Sequence, residues 1–237
     1  MAIQNKIRKI LNLLNTAYGA PPAFRKDDPV DVLIRTILSQ NTTDKNSVPA
    51  FYALKRHFAS WDKVRKAKTA EVARLIRHAG LAKIKAERIR GVLSEIKRAN
   101  VASSKWQVAR GEAGKSSIGF LAMMDTEDAL RYLESLKGVG PKTAACVLLF
   151  AFGRPVMPVD THIFRVAKRL GLIGKDVNIE EAHKVLTKIV PNDLIYDFHL
   201  GIIEHGRRTC KAQTPKCGVC VVYGLCAFGK KKFYRAK

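Results

Sequence analysis

Apolar positions recur every third or fourth residue along almost the whole chain. "VDVLIRTILSQ", "SVPAFYALKRHF", "TAEVARLIRHAG", "KIKAERIRGVLSEIKRA", "TEDALRYLESLKG", "THIFRVAKRLG" and "IEEAHKVLTKIV" each carry one apolar stripe on a helical period. The N-terminal stretch does so through Ile3, Ile7, Ile10, Leu11 and Leu14, and is stopped by Gly19 and the pair Pro21-Pro22. Other segments close at Gly80, Gly138 and Gly171, glycine being frequent just past a helix end. No strong alternation argues for a strand. The pattern predicts an all-α fold with short connections. Ser103 to Gly119, "SSKWQVARGEAGKSSIG", breaks it, and its Ser, Gly and Lys content predicts a long surface loop.

Size and composition narrow the class. With 237 residues, 47% of them hydrophobic, the chain can build one large core or two small ones. The longest apolar run, "AACVLLFAF", is about half of the roughly 18 residues that span a membrane. The spaced apolar residues of the N-terminus are not those of a signal peptide. A cytoplasmic, nucleoid-associated protein with no membrane partner is expected. Charge then points to the partner. Lys plus Arg number 43 and Asp plus Glu 20, a formal net charge of +23. Twelve basic and three acidic residues lie between Lys63 and Arg98, and five basic and no acidic ones in the last eleven. A folded chain with basic stripes suits a phosphate backbone.

Candidate chemistry begins at "LKGVGPKTAACVLLF". One helical segment ends at Gly138-Val139-Gly140, and Pro141 suits the first position of the next. Two glycines let backbone amides approach an anion at a helix N-terminus, which is the logic of a helix-hairpin-helix contact to DNA backbone. Lys142 then falls in the first helical turn, where the helix dipole favours acidic side chains. The plain role of a lysine there is a phosphate contact. Its other role is chemical: the positive helix end favours the neutral amine, which is a nucleophile able to form a Schiff base. Further on, in "VMPVDTHIFRVAKRLG", Asp160 is placed to cap a helix. Its carboxylate could also stabilise an oxocarbenium-like transition state. His162, one turn in, is either a structural histidine or part of a pocket wall.

Cys146 lies in an apolar helical run and reads as core. The other four cysteines crowd together as Cys210, Cys217, Cys220 and Cys226, with C-x6-C-x2-C-x5-C spacing. Four clustered cysteines in a cytosolic protein indicate metal, either zinc or an iron–sulfur cluster. A single short knuckle, where zinc sites usually have two, leans toward the cluster. Lys211 and Lys216 stand in the loop between the first two cysteines and could offer cations to phosphate.

Taken together, "LKGVGPKTA", "VDTHIFRV" and the four-cysteine spacing, in that order and with "HGRRTC" leading into the last, resemble the endonuclease III branch of the helix-hairpin-helix DNA glycosylases. The likeness runs from about Val30 to Cys226. It implies a six-helix module over residues 26–154 carrying the hairpin. It also implies a second module, formed by 1–25 and 155–237, around a [4Fe–4S] cluster held by Cys210, Cys217, Cys220 and Cys226. DNA would lie in the cleft between them. The resemblance further implies a monomer that binds duplex DNA containing a damaged base or an abasic site. Lys142 would attack C1′, Asp160 would assist, and the Schiff base would permit β-elimination. A bifunctional glycosylase/AP lyase for oxidised pyrimidines follows. The alternatives are a mismatch or uracil glycosylase of the same fold, or a basic DNA-binding module with a structural metal.

Three further assignments rest on the same resemblance. "HAGLAKIKA" matches the wedge turn, making Leu81 the intercalating side chain. "LSQNTTDKN" matches the segment that fills the vacated base position, which places Gln40 and Asn41 there. Gly138, Val139, Gly140, His162, Lys211 and Lys216 complete the expected DNA contacts. Two departures bear on lesion preference. The family usually reads "LSAQATD" where Gln40 and Asn41 stand, and has a tyrosine where this chain has Ala82.

Overall fold

A computed structural model describes residues 2–102 and 118–229. The basic tail after Gly229, and all of the Ser103–Gly119 segment but its last two residues, lie outside the described residues. No strand occurs among the described residues. The helices are α1 (Ile3–Tyr18), α2 (Pro29–Ser39), α3 (Asp44–His57), α4 (Trp61–Lys66), α5 (Thr69–Leu75), α6 (Ala82–Ala102), α7 (Thr126–Ser135), α8 (Pro141–Phe152), α9 (Thr161–Leu170), α10 (Ile179–Ile189) and α11 (Ile195–Arg208). The chain divides into two compact units, one of Lys26–Arg154 and one joining Met1–Arg25 to Pro155–Lys237.

The Lys26–Arg154 unit is built around α8. Its residues Thr143 to Leu149 and Ala151 are buried, so this helix is apolar on all sides and central. It packs mainly on α2 and α7. Against it α2 sets Leu33, Ile34, Ile37 and Leu38, all fully buried. Local chemistry starts α2 cleanly: the Asp28 carboxylate accepts from the amides of Val30 and Asp31, and Pro29 takes the first turn. The segment "TAEVARLIRHAG" does not stay one helix. It closes as α5 at Leu75, continues as the 3-10 turn Arg77–Ala79, and ends at Gly80, whose φ is +69°.

In the other unit α9 and α1 both pack on α11. Periodicity alone does not pick out α11, because Gly201 and Gly206 interrupt its stripe and glycine weakens a helix interior. Packing explains both. Leu11 and Leu14 of α1 close over Gly201, and a Cβ at Gly206 would lie 2.9 Å from the Cβ of His162. The short α4 is also missed by the stripe pattern. It has six residues, one of them, Val64, buried, and it starts from a Ser60 side chain that accepts the Lys63 amide.

Candidate functional site

The hairpin turn between α7 and α8 is anchored by Val139, which is buried while Gly138 and Gly140 on either side are exposed. Gly138 has φ +86°, in the region that favours glycine, and Arg88 lies beneath it: a Cβ there would fall 2.1 Å from the Arg88 Nε. At Gly140 a Cβ would meet nothing within 4 Å, so the backbone is open to close approach. The Gly140 carbonyl accepts the first amides of α8, from Thr143 at 2.9 Å and Ala144 at 3.0 Å. Among the described residues no backbone carbonyl accepts the amides of Gly140 or Lys142. No side chain caps this helix. The turn thus presents unpaired donors at a positive helix end, a site for a phosphate oxygen. Lys142 follows at once, half-buried, and no described residue bonds its ammonium group.

The loop after α2 comes near this turn. Gln40 donates from Nε2 to the Gly138 carbonyl at 3.5 Å and to Thr143 Oγ1 at 3.4 Å, and Arg88 donates to its Oε1. Among the described residues, the non-glycine positions with positive φ are Asn41 (53°) and Leu81 (49°). Both are positions that the family resemblance assigns to DNA contact. Leu81 is also 54% exposed. A bulky apolar residue in the left-handed conformation is a strained position that the surrounding structure must hold.

Asp160 does cap α9, its Oδ1 accepting the Ile163 amide at 2.8 Å. The other carboxylate oxygen lies outside that bond. The extended segment before it is pinned on both sides. Thr187 Oγ1 accepts the Met157 amide (2.9 Å), His183 Nδ1 donates to the Met157 carbonyl (3.0 Å), and buried His199 Nδ1 donates to the Pro158 carbonyl (3.0 Å). A carbonyl only accepts, so each imidazole carries its proton on Nδ1. These three positioning side chains have no sequence signature beyond their residue types. His162 lies against Gly206 with Nδ1 3.2 Å from Arg165.

Farther along α9, arginines hold the cysteine loop. Arg165 donates to the Cys210 carbonyl, and Arg169 to the carbonyls of Lys211 and Ala212. Lys211 and Lys216 are both exposed on this braced loop. Cys210, Cys217, Cys220 and Cys226 line one cavity together with His205 and Val222. Among the described residues no three potential ligands converge as they would on a single ion. Four thiols around a common space suit a multi-iron cluster better than one zinc ion. Burial and the charge of its three neighbours push the Cys220 thiol up. A bound cationic centre offsets that cost. Donors already face the sulfurs: Arg169 to Cys210 at 3.4 Å and the Gly229 amide to Cys226 at 3.4 Å. The residues present therefore fit an iron–sulfur centre.

Comparison with known proteins agrees with this geometry. Residues 34–192 match the model of the HhH-GPD superfamily of base excision DNA repair proteins, and residues 210–226 match the iron–sulfur binding domain of endonuclease III. Endonuclease III of Thermotoga maritima is 34% identical over 212 residues, which cover 90% of this chain and 89% of that one. A relative from Arabidopsis thaliana is 33% identical over 193 residues, but the match spans only 61% of its length. Among solved structures, a non-covalent endonuclease III–DNA complex has a TM-score of 0.74 at 28% identity. A trapped endonuclease III–DNA covalent intermediate has 0.73 at 29%. These cover 99% and 98% of this chain, respectively, and all of theirs. The chain belongs to the HhH-GPD superfamily of base excision DNA repair proteins. Within it, the chain is an endonuclease III-like, DNA-binding glycosylase with a [4Fe–4S] cluster segment. No described helix is long and apolar enough to cross a membrane.

Proposed function

We propose that this protein removes oxidised pyrimidines of the thymine glycol type from duplex DNA and then nicks the strand. The observation that carries this reading is Lys142, with no described partner for its ammonium, one residue into an uncapped helix behind a glycine hairpin. The hairpin amides and the exposed Lys211 and Lys216 grip phosphates without reading sequence. Leu81 wedges into the stack, and Gln40 and Asn41 occupy the space the extruded base vacates. Lys142, as the free amine, then attacks C1′. The C1′–N bond breaks and its electron pair leaves with the base, which takes up a proton. Asp160 favours the positive charge that develops on the sugar. Opening of the sugar ring converts the C1′ adduct to a Schiff base. Loss of the C2′ proton then expels the 3′ phosphate by β-elimination. The Cys210–Cys226 segment contributes a braced basic loop, and the cluster, when bound, cross-links it.

A covalent endonuclease III–DNA intermediate has been trapped in a relative of similar fold, which supports the Schiff-base route. The departures at Gln40, Asn41 and Ala82 bear on which lesion is taken. A lesion-panel cleavage assay, with and without borohydride, is the test. Thymine glycol duplex should be nicked, and borohydride should trap an adduct that Lys142→Gln cannot form. An adduct in that variant would overturn the lysine assignment. Excision at G·T or G·U with thymine glycol untouched would replace this substrate with a mismatch one. Salt-sensitive binding without cleavage of any substrate would leave only a DNA-binding module.

A further inference from the structure

Lys85 is 2% exposed, the largest fully buried side chain among the described residues, and it has no carboxylate partner among them. A buried cation without a counter-charge is costly and calls for a reason. Its Nζ donates to the carbonyl of Leu38 at 2.7 Å and to that of Ala79 at 2.7 Å. Burial and the nearby Arg88 charge lower its pKa.

The two carbonyls are those their own elements leave over. At the end of α2, the Thr36 carbonyl takes the Ser39 hydroxyl, that of Ile37 takes the Gln40 amide, and that of Ser39 takes the Thr42 amide. At the 3-10 turn, the carbonyl of Ile76 takes the Ala79 amide and that of Arg77 the Gly80 amide. The carbonyls of Leu38 and Ala79 remain for Lys85. Leu38 lies three residues before Asn41, and Ala79 two before Leu81, the two non-glycine residues in the left-handed region. One turn further along α6, Arg88 donates to Gln40, which reaches the Gly138 carbonyl of the hairpin.

We propose that Lys85 is a positioning residue for base extrusion. It ties the Leu81 turn to the Gln40–Asn41 turn, so that wedge and void-filling residues enter the duplex at a set separation. The proposal rests on the reading that these turns enter DNA. It adds a reason for both to stay strained before DNA arrives: the segment leading into each is bonded to the same buried ammonium. Arg88 extends the tie to the hairpin that carries Lys142.

Lys85→Met keeps most of the volume and removes the donor. In the DNA-free protein it should raise amide hydrogen exchange at residues 39–42 and 79–82 about tenfold or more, with α8 unchanged. Thymine glycol excision from duplex should fall at least about tenfold, while borohydride trapping on an abasic site in single-stranded DNA stays within about twofold. In a Leu81→Ala background, Lys85→Met should cost less than about twofold more, because it acts through that leucine. Should Lys85→Met lose its cooperative thermal transition, Lys85→Gln takes the same three measurements. Unchanged exchange would overturn the proposal. So would equal losses on duplex and single-stranded substrates, or full additivity with Leu81→Ala. A wild-type protein inactive on every lesion would instead sink the functional reading, while the exchange measurement still decides the clamp.

Discussion

Two helix starts in this molecule solve the same electrostatic problem in opposite ways. Helix α9 opens with Asp160, whose carboxylate accepts the Ile163 amide and meets the positive helix end with a negative charge. Helix α8 opens with Gly140 and Pro141, no side-chain cap, and a lysine where an acid would be favoured. At α9 the unpaired donors are met internally. At α8 they are left for something outside the chain. A third start, that of α4, is the ordinary case. Ser60 caps it, and Asp62 in its first turn pairs with Arg65 and Lys66. Set beside α4, α9 is conventional in form but supplies a carboxylate, and α8 departs from the rule outright. On the proposed mechanism, that departure is where Lys142 acts.

The largest expected effect falls on α8. Lys142→Gln should lower strand nicking by at least about three orders of magnitude, measured as product per time on thymine glycol duplex, because a missing nucleophile is not replaced. Its melting temperature should hold or rise, since a cation leaves a positive helix end. A variant that unfolds at lower temperature would mean that Lys142 is structural. Asp160 comes next. Asn caps as well as Asp, so Asp160→Asn should keep stability within a few tenths of a kcal/mol. Excision should still fall roughly a hundredfold through loss of the charge. Asp160→Ala should lose about 1 kcal/mol of stability in addition. If Asp160→Asn excises at the wild-type rate, capping is the whole role of this residue.

Smaller effects separate the two hairpin glycines. Gly138→Ala meets both a positive φ and the Arg88 side chain. It should cost about 1–2 kcal/mol in chemical denaturation and weaken DNA binding with it. Gly140→Ala meets open space at φ −105°, so it should leave the melt unchanged and weaken only DNA affinity. Equal destabilisation by both would remove the distinction. The smallest effect is at α4. The side chains of Lys66 and Arg65 hold the Asp62 carboxyl below its ordinary 3.8. Its contribution is therefore present above 3.8 and lost as pH falls through the lower folded value. Asp62→Asn should flatten the acid end of the stability curve by less than about 1 kcal/mol, because solvent still reaches the carboxylate and both of its partners. Unlike Asp160→Asn, it should leave excision untouched.

Much of this contrast is legible in the chain itself. The Gly-Val-Gly-Pro-Lys run, the Asp before "THIFRV" and the cysteine spacing are local patterns, and each sits where its local chemistry requires. The positive φ at Leu81 and Asn41 falls on two of the three residues read as entering the duplex, Gln40 being the third. Local patterns fail where a residue answers to something remote. His183 and His199 are unremarkable in sequence, yet they pin the strand of chain that delivers Asp160. Gly201 and Gly206 count against a helix until Leu11, Leu14 and His162 are seen packed on them.

What the sequence determined by itself is helical class, basic surface, and the order of hairpin, acid and cysteines, because these depend on neighbours one to seven places apart. Tertiary structure alone decided which lysine or arginine among the described residues is buried and what it holds. Lys85 sits in the basic stripe between Lys63 and Arg98, which reads as suited to a phosphate backbone. Only folding brings it under two carbonyls, 47 and 6 residues away. Burial removes water as the alternative partner, and that turns an ordinary lysine into a tie between two strained turns.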